Sequence, residues 1–172
     1  MTQSAIEKKA SAEFDIVKLD EQRHRITGFA MISCNRNGEP VYDLQGDHIS
    51  PDELVKAASD FAALVGESTV DDMHDRTDTG RVVESMVLTS ELQKAIGLPQ
   101  ESDLLKIEEA IAPLVDSEPV QAIREAIQKM RDSRPPVGWL VTVEVPPSQF
   151  ALVKSGKRPM FSIEARAMRE AA

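Results

Sequence analysis

The segment Gly138–Val145 carries apolar side chains at every second position, namely Trp139, Val141, Val143 and Val145. Because successive side chains of a strand point to opposite faces, this spacing predicts a strand with one buried face. Two prolines follow directly and end the strand, since proline cannot donate to a sheet ladder. A strand of this kind is stable only with neighbouring strands and a covering layer, which other parts of the chain must supply.

Four other runs favour strands. Phe14–Leu19 and Ile26–Ile32 flank the polar turn Asp20–Arg23, and together they predict a β-hairpin. Arg81–Leu88 is a third run and Phe161–Ala167 is the last. Helical segments lie between these runs, and this mixture predicts an α+β fold whose base is a mostly antiparallel sheet or barrel.

Short signals mark the starts of helices between the strands. Ser50–Glu53 combines an N-cap serine, a proline at the first helical position and a capping-box glutamate. Ser90 with Gln93 predicts the cap of a short helix, and Ser148 predicts the cap of another. The preceding loop, Asp43–Asp47, is typical of an Asx turn, and we expect it to cap the helix that follows.

The segment Ser102–Ser133 differs in character from its surroundings and predicts two amphipathic helices. Apolar residues recur there with spacings of three and four, which gives each helix an apolar seam. The seam residues are Leu104, Ile107, Ile111, Leu114, Val120, Ile123, Ile127 and Met130. Two interpretations stay open: a helical hairpin packed on the domain's own sheet, or a seam through which the chain associates with itself.

The length of 172 residues is typical of one domain that buries roughly two-thirds of its unfolded surface. We predict a flexible tail at residues 1–13 and a single domain at residues 14–172, with the helical segment 102–133 as an insertion. A net charge of −9 disfavours nucleic acid or an anionic membrane as the main partner. No apolar run approaches the about 20 residues that span a bilayer. The single cysteine, Cys34, excludes an intrachain disulfide and fits a reducing compartment.

The segment Met73–Ser85 has residue types suited to a general-base site. His74 precedes a turn that contains Gly80, and the turn leads into the strand run that carries Glu84 among valines. Imidazole titrates near neutral pH, and a neighbouring carboxylate can fix its tautomer and stabilise its cation. The segment therefore suggests a base with an orienting acid, while the nucleophile must come from elsewhere.

The best candidate for a nucleophile lies in the last strand run. Its alternation turns Ser162, Glu164 and Arg166 away from the apolar face of the run, so Ser162 is not a core residue. A serine becomes nucleophilic only beside a base, an orienter for that base and donors for the oxyanion. Without these partners, Ser162 is an ordinary solvent-facing residue of a strand.

A metal site is the competing chemistry. The possible ligands are Asp43, Asp47, His48, His74 and Asp75. None of them has the spacing that is diagnostic of a zinc or calcium site, and no cysteine pair exists. A glycine-rich phosphate loop is also missing from the sequence. We therefore expect neither a metal nor a cofactor.

Several short motifs occur in a fixed order along the chain. They are Asp43–Ser50 followed by an amphipathic helix, Met73–Arg76, Gly80–Ser85, Gly138–Trp139, Lys154–Lys157 and Phe161–Ile163. This series resembles the tailed-phage prohead serine proteases, which process capsids during maturation, in the branch related to herpesvirus assemblin. The resemblance extends from about Ile26 to Ala167, and the series is more specific than any one of its motifs.

The resemblance implies a role for two residues. The family's histidine falls on His74 and its nucleophilic serine falls on Ser162. Two features depart from the family: Glu164 stands where related chains usually have glycine, and the helical segment 102–133 is an insertion.

The third catalytic residue is left with several candidates. Glu84 is preferred, because it lies inside the matching motif and follows His74 across a turn. Glu164 is the second choice, since it shares a face with Ser162. His48 is the only residue that could stand for the second histidine that herpesvirus assemblins use. Arg166 would help to stabilise the oxyanion, as arginine does in that superfamily, and its alternative role is an ion pair with Glu164.

The resemblance implies an α+β serine endopeptidase on an assemblin-like barrel surrounded by helices. Such an enzyme would cut scaffold and capsid proteins, and also itself, inside the assembling prohead in the host cytoplasm. A homo-oligomer, such as a dimer through helices 102–133, would be its expected assembly. Two alternatives remain: an inactive phage structural or scaffold module with the same fold, and an acidic metal-binding domain.

Overall fold

The computed structural model describes residues 16–43, 46–63, 69–70, 80–114 and 117–158. The predicted tail, residues 1–13, lies outside them. The strands are β1 (Ile16–Asp20), β2 (Arg25–Cys34), β3 (Thr69–Val70), β4 (Gly80–Leu88) and β5 (Val137–Glu144). The helices are α1 (Pro51–Ala63), α2 (Ser90–Ala95), α3 (Glu101–Ile111), α4 (Glu118–Ser133) and α5 (Pro147–Lys154).

The strands form one antiparallel sheet in the order β1-β2-β5-β4-β3. The predicted α+β class and antiparallel pairing are therefore confirmed, as is the hairpin of β1 and β2. Among the described strands, β1 and β3 are the two edge strands, and each pairs with a neighbour on one side only. The sheet is therefore open, and the predicted barrel is not confirmed. The predicted last strand, Phe161–Ala167, lies outside the described residues.

One face of the sheet packs against α1. The buried side chains of this layer come from β2, β5 and α1: Ala30, Leu54, Ala58, Trp139, Val141 and Val143. The ring of Phe61 meets that of Trp139 edge to face, with 5.1 Å between their centroids. The predicted alternation of Trp139, Val141 and Val143 is thus confirmed, and it fixes which face of the central strand β5 carries the core.

The opposite face of the sheet is covered at one end by α2. There Phe29, Ile32 and Leu88 form a second buried cluster, against which Leu92 of α2 packs. Gln93 is 1% exposed, and its Nε2 lies 3.2–3.4 Å from the carbonyl oxygens of Leu88, Pro135 and Pro136. This side chain therefore joins α2 to the end of β4 and to the segment before β5.

The predicted helix starts are partly confirmed. Ser50 and Glu53 exchange the hydrogen bonds of a capping box, so the start of α1 is as predicted. In the loop before α1, the amide of Asp47 donates to Asp43 Oδ1 at 2.9 Å. The bond that defines an Asx turn would join Asp43 to residue 45, which lies outside the described residues. The loop does not cap α1, because Ser50 does.

Two predicted caps are wrong by one or two positions. Thr89, and not Ser90, caps α2, because its hydroxyl accepts from the amide of Leu92. The expected capping partner, Gln93, is instead buried against carbonyl groups. Helix α5 starts at Pro147 after an N-cap at Pro146, so Ser148 lies inside the helix and does not cap it.

Helices α3 and α4 form the predicted helical hairpin and have a hydrophobic cluster of their own. Leu104, Ile111 and Ile127 make up this cluster, whereas three other seam residues are 39–51% exposed: Ile107, Leu114 and Ile123. The apolar seams of α3 and α4 are therefore only partly buried, and the rest of their apolar side chains are exposed. Among the described helices, none is long and apolar enough to cross a membrane.

Ion pairs hold the base of this hairpin. Arg131 lies 2.8 Å from Glu101 and 3.0 Å from Glu108, and Arg134 lies 2.6 Å from the second oxygen of Glu101. The hydrogen bond of Arg131 keeps the pKa of the Glu108 carboxyl below its usual range. Arg36, which lies just after β2, donates to the carbonyl oxygen of Asp132 in α4 at 2.8 Å. The hairpin is thus anchored through polar contacts at the ends of α3 and α4.

Candidate functional site

Two of the catalytic candidates, Glu84 and His48, lie in the described part of the chain. Glu84 is in the middle of β4, six positions before the start of α2. His74, Ser162, Glu164 and Arg166 lie outside the described residues. The candidate site is therefore built from Glu84 outward.

A β-bulge decides which face of the sheet Glu84 occupies. Val82 pairs with Val143 and Glu84 pairs with Thr142, so β4 has one more residue than β5 over this step, namely Val83. Val82 packs with the core under α1, and in a regular strand Glu84 would share its face. The extra residue shifts the alternation of side chains by one position, and Glu84 therefore lies on the face opposite α1. Bulges often redirect side chains in this way beside functional sites.

The carboxylate of Glu84 ends a row of hydroxyl groups that crosses three strands. Thr142 Oγ1 donates to Glu84 Oε2 at 2.6 Å, and Thr27 Oγ1 lies 3.0 Å from Thr142 Oγ1. Thr27, Thr142 and Glu84 are direct partners in the registers of β2 with β5 and β5 with β4. Thr142 is 5% exposed, whereas Glu84 is exposed. A buried donor thus holds one oxygen of a carboxylate that water can reach.

A second polar row lies next to the first on the same face. Glu144 accepts from Arg25 Nε at 3.1 Å and from Arg81 at 2.9 Å, and the three residues are again direct partners across the sheet. The guanidinium of Arg25, followed by that of Arg81, holds the pKa of the Glu144 carboxyl below its usual range. This face therefore places two arginines and two carboxylates on neighbouring cross-strand rows.

The sequence contained little sign of these partners. Threonine is common in strands, and nothing about Thr27 or Thr142 marked them in the sequence as contacts of Glu84. The one available signal was the alternation of β5, which assigned Thr142 to the face opposite Trp139. The position of Glu84 relative to that face depended on the bulge and could not be derived from alternation.

The other polar candidates do not form a second centre. His48 is exposed, and its Nδ1 lies 3.1 Å from the carbonyl oxygen of Val41. Within the described ranges, no group of three histidine, cysteine, aspartate or glutamate side chains is arranged to hold a metal ion. Asp43 and Asp47 are instead joined by a hydrogen bond within the loop before α1.

The arrangement around Glu84 is suited to orienting a proton-transfer group. An ionised carboxylate that is held through one oxygen can accept an N–H from an imidazole through the other. The predicted base, His74, and the predicted nucleophile, Ser162, lie outside the described residues. Comparisons with models of protein families, with curated proteins and with solved structures find no match to this chain.

Proposed function

We propose that the protein is a serine endopeptidase that cleaves scaffold and capsid proteins, and itself, during phage prohead maturation. It would act in the host cytoplasm, inside the assembling prohead. The proposal is based on the ordered motifs that resemble the prohead proteases. The antiparallel sheet of an α+β fold is compatible with it, and we propose that Phe161–Ala167 extends this sheet toward an assemblin-like barrel.

The observation that carries the proposal is the position of Glu84. It lies ten residues after His74 in the sequence and four residues after β4 begins. The bulge at Val83 turns its carboxylate away from the core, and Thr142 holds it. A carboxylate fixed in this way supports the role of orienting acid for His74.

In the proposed mechanism, His74 takes the proton from Ser162, and the serine oxygen attacks the scissile carbonyl carbon. Arg166 stabilises the negative charge that develops on the carbonyl oxygen. His74 then gives its proton to the leaving amine, and water hydrolyses the acyl-enzyme by the same steps. Glu164 is the alternative orienting acid. The reaction uses neither a metal nor a cofactor.

The first test uses a fluorophosphonate probe, which labels activated serines, together with intact-mass measurement of the chain co-expressed with a candidate scaffold protein. Wild type should be labelled once and should cleave, whereas Ser162→Ala and His74→Ala should do neither. Glu84→Gln should slow both reactions strongly. Glu144→Gln is the matched control, because it removes a neighbouring carboxylate from the same face and should leave both reactions intact.

The other outcomes separate the alternatives. Labelling that persists in Ser162→Ala would mean that another residue is the nucleophile. Slow reaction in Glu164→Gln but not in Glu84→Gln would assign the acid to Glu164. Wild type that is neither labelled nor able to cleave would overturn the protease and favour the inactive structural module.

We also propose that the protein forms a homo-oligomer through the helical hairpin. Ile107 and Ile123 are 42% and 39% exposed on the two helices of the hairpin, which supports this surface. Sedimentation of Ile107→Glu with Ile123→Glu should show loss of a concentration-dependent association. Leu105→Glu is the control, since Leu105 is 47% exposed and lies two residues away from Ile107, on another side of α3. Identical sedimentation of wild type and the double variant would contradict the proposal.

A further inference from the structure

We infer that Thr142 is a positioning residue for the proposed reaction and that Thr27 supports it, so that a relay of two hydroxyl groups sets the orientation of Glu84. This inference rests on the proposed function and extends it to residues in the centre of the sheet. The relay crosses β2, β5 and β4 at one level of the sheet, and its members are far apart in sequence.

The direction of the hydrogen bonds follows from the inventory of hydroxyl groups. A threonine has one hydroxyl hydrogen, and that of Thr142 is donated to Glu84. Thr142 therefore accepts from Thr27, which donates at 3.0 Å. Both bonds polarise in the same direction, toward the carboxylate, and such a chain strengthens each of its members.

The burial of Thr142 makes it an effective anchor. At 5% exposure its side chain lies in the middle of the central strand, where the register with β2 and β4 fixes its backbone. Glutamate has several rotatable bonds, and an exposed glutamate samples many rotamers. The 2.6 Å bond from an immobile hydroxyl selects rotamers that keep Oε2 over β5, and it leaves Oε1 for the base.

The rest of the surroundings distinguishes Glu84 from its neighbour Glu144. Both oxygens of Glu144 are occupied by the guanidinium groups of Arg25 and Arg81. Within the described residues, Glu84 accepts a hydrogen bond only from the neutral hydroxyl of Thr142 through Oε2. Glu144 is therefore committed to ion pairs in the sheet, whereas Glu84 forms no ion pair among the described residues and has its second oxygen available to an imidazole.

The test measures the rate of fluorophosphonate labelling in five variants of the full chain, and thermal unfolding checks that each variant folds. Thr142→Val removes the hydroxyl at nearly constant volume and should slow labelling roughly tenfold, as expected for a lost hydrogen bond to a charged group. Thr142→Ser keeps the hydroxyl and should restore most of the rate. Thr27→Val should give a smaller loss, about twofold to threefold, because it weakens the relay without breaking the bond to Glu84.

Ser85→Ala is the matched control. Ser85 Oγ accepts a 2.8 Å hydrogen bond from Trp139 Nε1, so this variant also loses a side-chain contact between β4 and β5, but on the opposite face. It should unfold at a lower temperature and label at the rate of wild type. If the role of Thr142 were purely structural, Thr142→Val would behave like Ser85→Ala: it would unfold at a lower temperature and label at the wild-type rate.

Three results would overturn the inference. If Thr142→Val labels at the wild-type rate while Glu84→Gln is slow, the relay has no role, although the protease stands. If Glu84→Gln labels at the wild-type rate, Glu84 is not the orienting acid. If wild type is not labelled and does not cleave, the proposed function fails and the relay fails with it. If Thr142→Val does not fold, the labelling rates of Thr27→Val and Ser85→Ala decide. Slower labelling in Thr27→Val than in Ser85→Ala supports the relay, and equal rates overturn it.

Discussion

Gly138 of β5 and Met31 of β2 approach so closely that a Cβ atom on Gly138 would lie 2.7 Å from the carbonyl oxygen of Met31. It would also lie 2.9 Å from a ring carbon of Phe29. The two strands are the centre of the sheet, and bulges in β2 on either side of this position draw its backbone toward Gly138. Glycine is therefore required here by space, and not by an unusual backbone angle.

Gly138→Ala should therefore destabilise the fold. The added methyl group meets backbone, which cannot move aside as a side chain can, so the strands must separate. We expect a loss of about 1 to 3 kcal/mol in the free energy of unfolding, typical of overpacking. Urea denaturation measures it, and a variant as stable as wild type would contradict the close approach of β2 and β5.

Leu54→Ala should be among the most damaging changes in α1. Leu54 is 0% exposed and packs in the cluster between α1 and the sheet, so truncation leaves a cavity that costs about 2 to 5 kcal/mol. The adjacent Val55 is 39% exposed, and Val55→Ala should cost less than about 1 kcal/mol. Equal losses in the two variants would mean that α1 does not pack on the sheet through Leu54.

Glu101→Gln should loosen the base of the helical hairpin. Glu101 pairs with both Arg131 and Arg134, and the side chain of Arg134 is only 9% exposed, so its charge would lose its partner in a buried position. We expect a loss of about 1 to 3 kcal/mol in unfolding free energy and faster amide exchange in α3.

Asp103→Asn is the control for this prediction. It makes the same change of charge in the first turn of α3, but among the described residues the ion pair of Asp103 is a 3.5 Å surface contact with Lys106. Its effect should stay within about 0.5 kcal/mol. If the two variants behave alike, the ion pairs of Glu101 do not hold the hairpin.

The stabilising effect of Glu144 should depend on pH. Its pKa is lowered from the usual 4.5 by Arg25 and Arg81, so the folded state binds its proton less readily than the unfolded state. The stabilisation is therefore complete above pH 4.5 and is lost as the pH falls through the lower pKa of the folded state. The difference in unfolding free energy between wild type and Glu144→Gln should shrink over that range. A difference that is constant from pH 7 to pH 3 would contradict the pairing.

Local rules worked where one short segment contains all the interacting groups. Ser50 and Glu53 form the predicted capping box because the groups that they satisfy belong to the same turn. The same rule failed at Ser90 and Gln93. The Gln93 side chain is recruited by carbonyl oxygens near β5, more than forty residues away, which leaves Thr89 to cap the helix.

Local sequence patterns located most of the described helices and strands, although not β3, and they assigned the apolar sides of β5, α3 and α4. Alternation assigned Trp139, Val141 and Val143 to one face of β5, and helical spacing located α3 and α4, because both signals depend only on the repeat of the local backbone. The surroundings of Glu84, by contrast, depend on contacts between strands that are distant in the sequence. The bulge at Val83 exists because β4 pairs with β5, and Thr142 lies 58 residues from Glu84 in the chain. Pairing between distant strands has no local repeat, so the face that Glu84 occupies and the hydroxyl that holds it emerge only when the sheet forms.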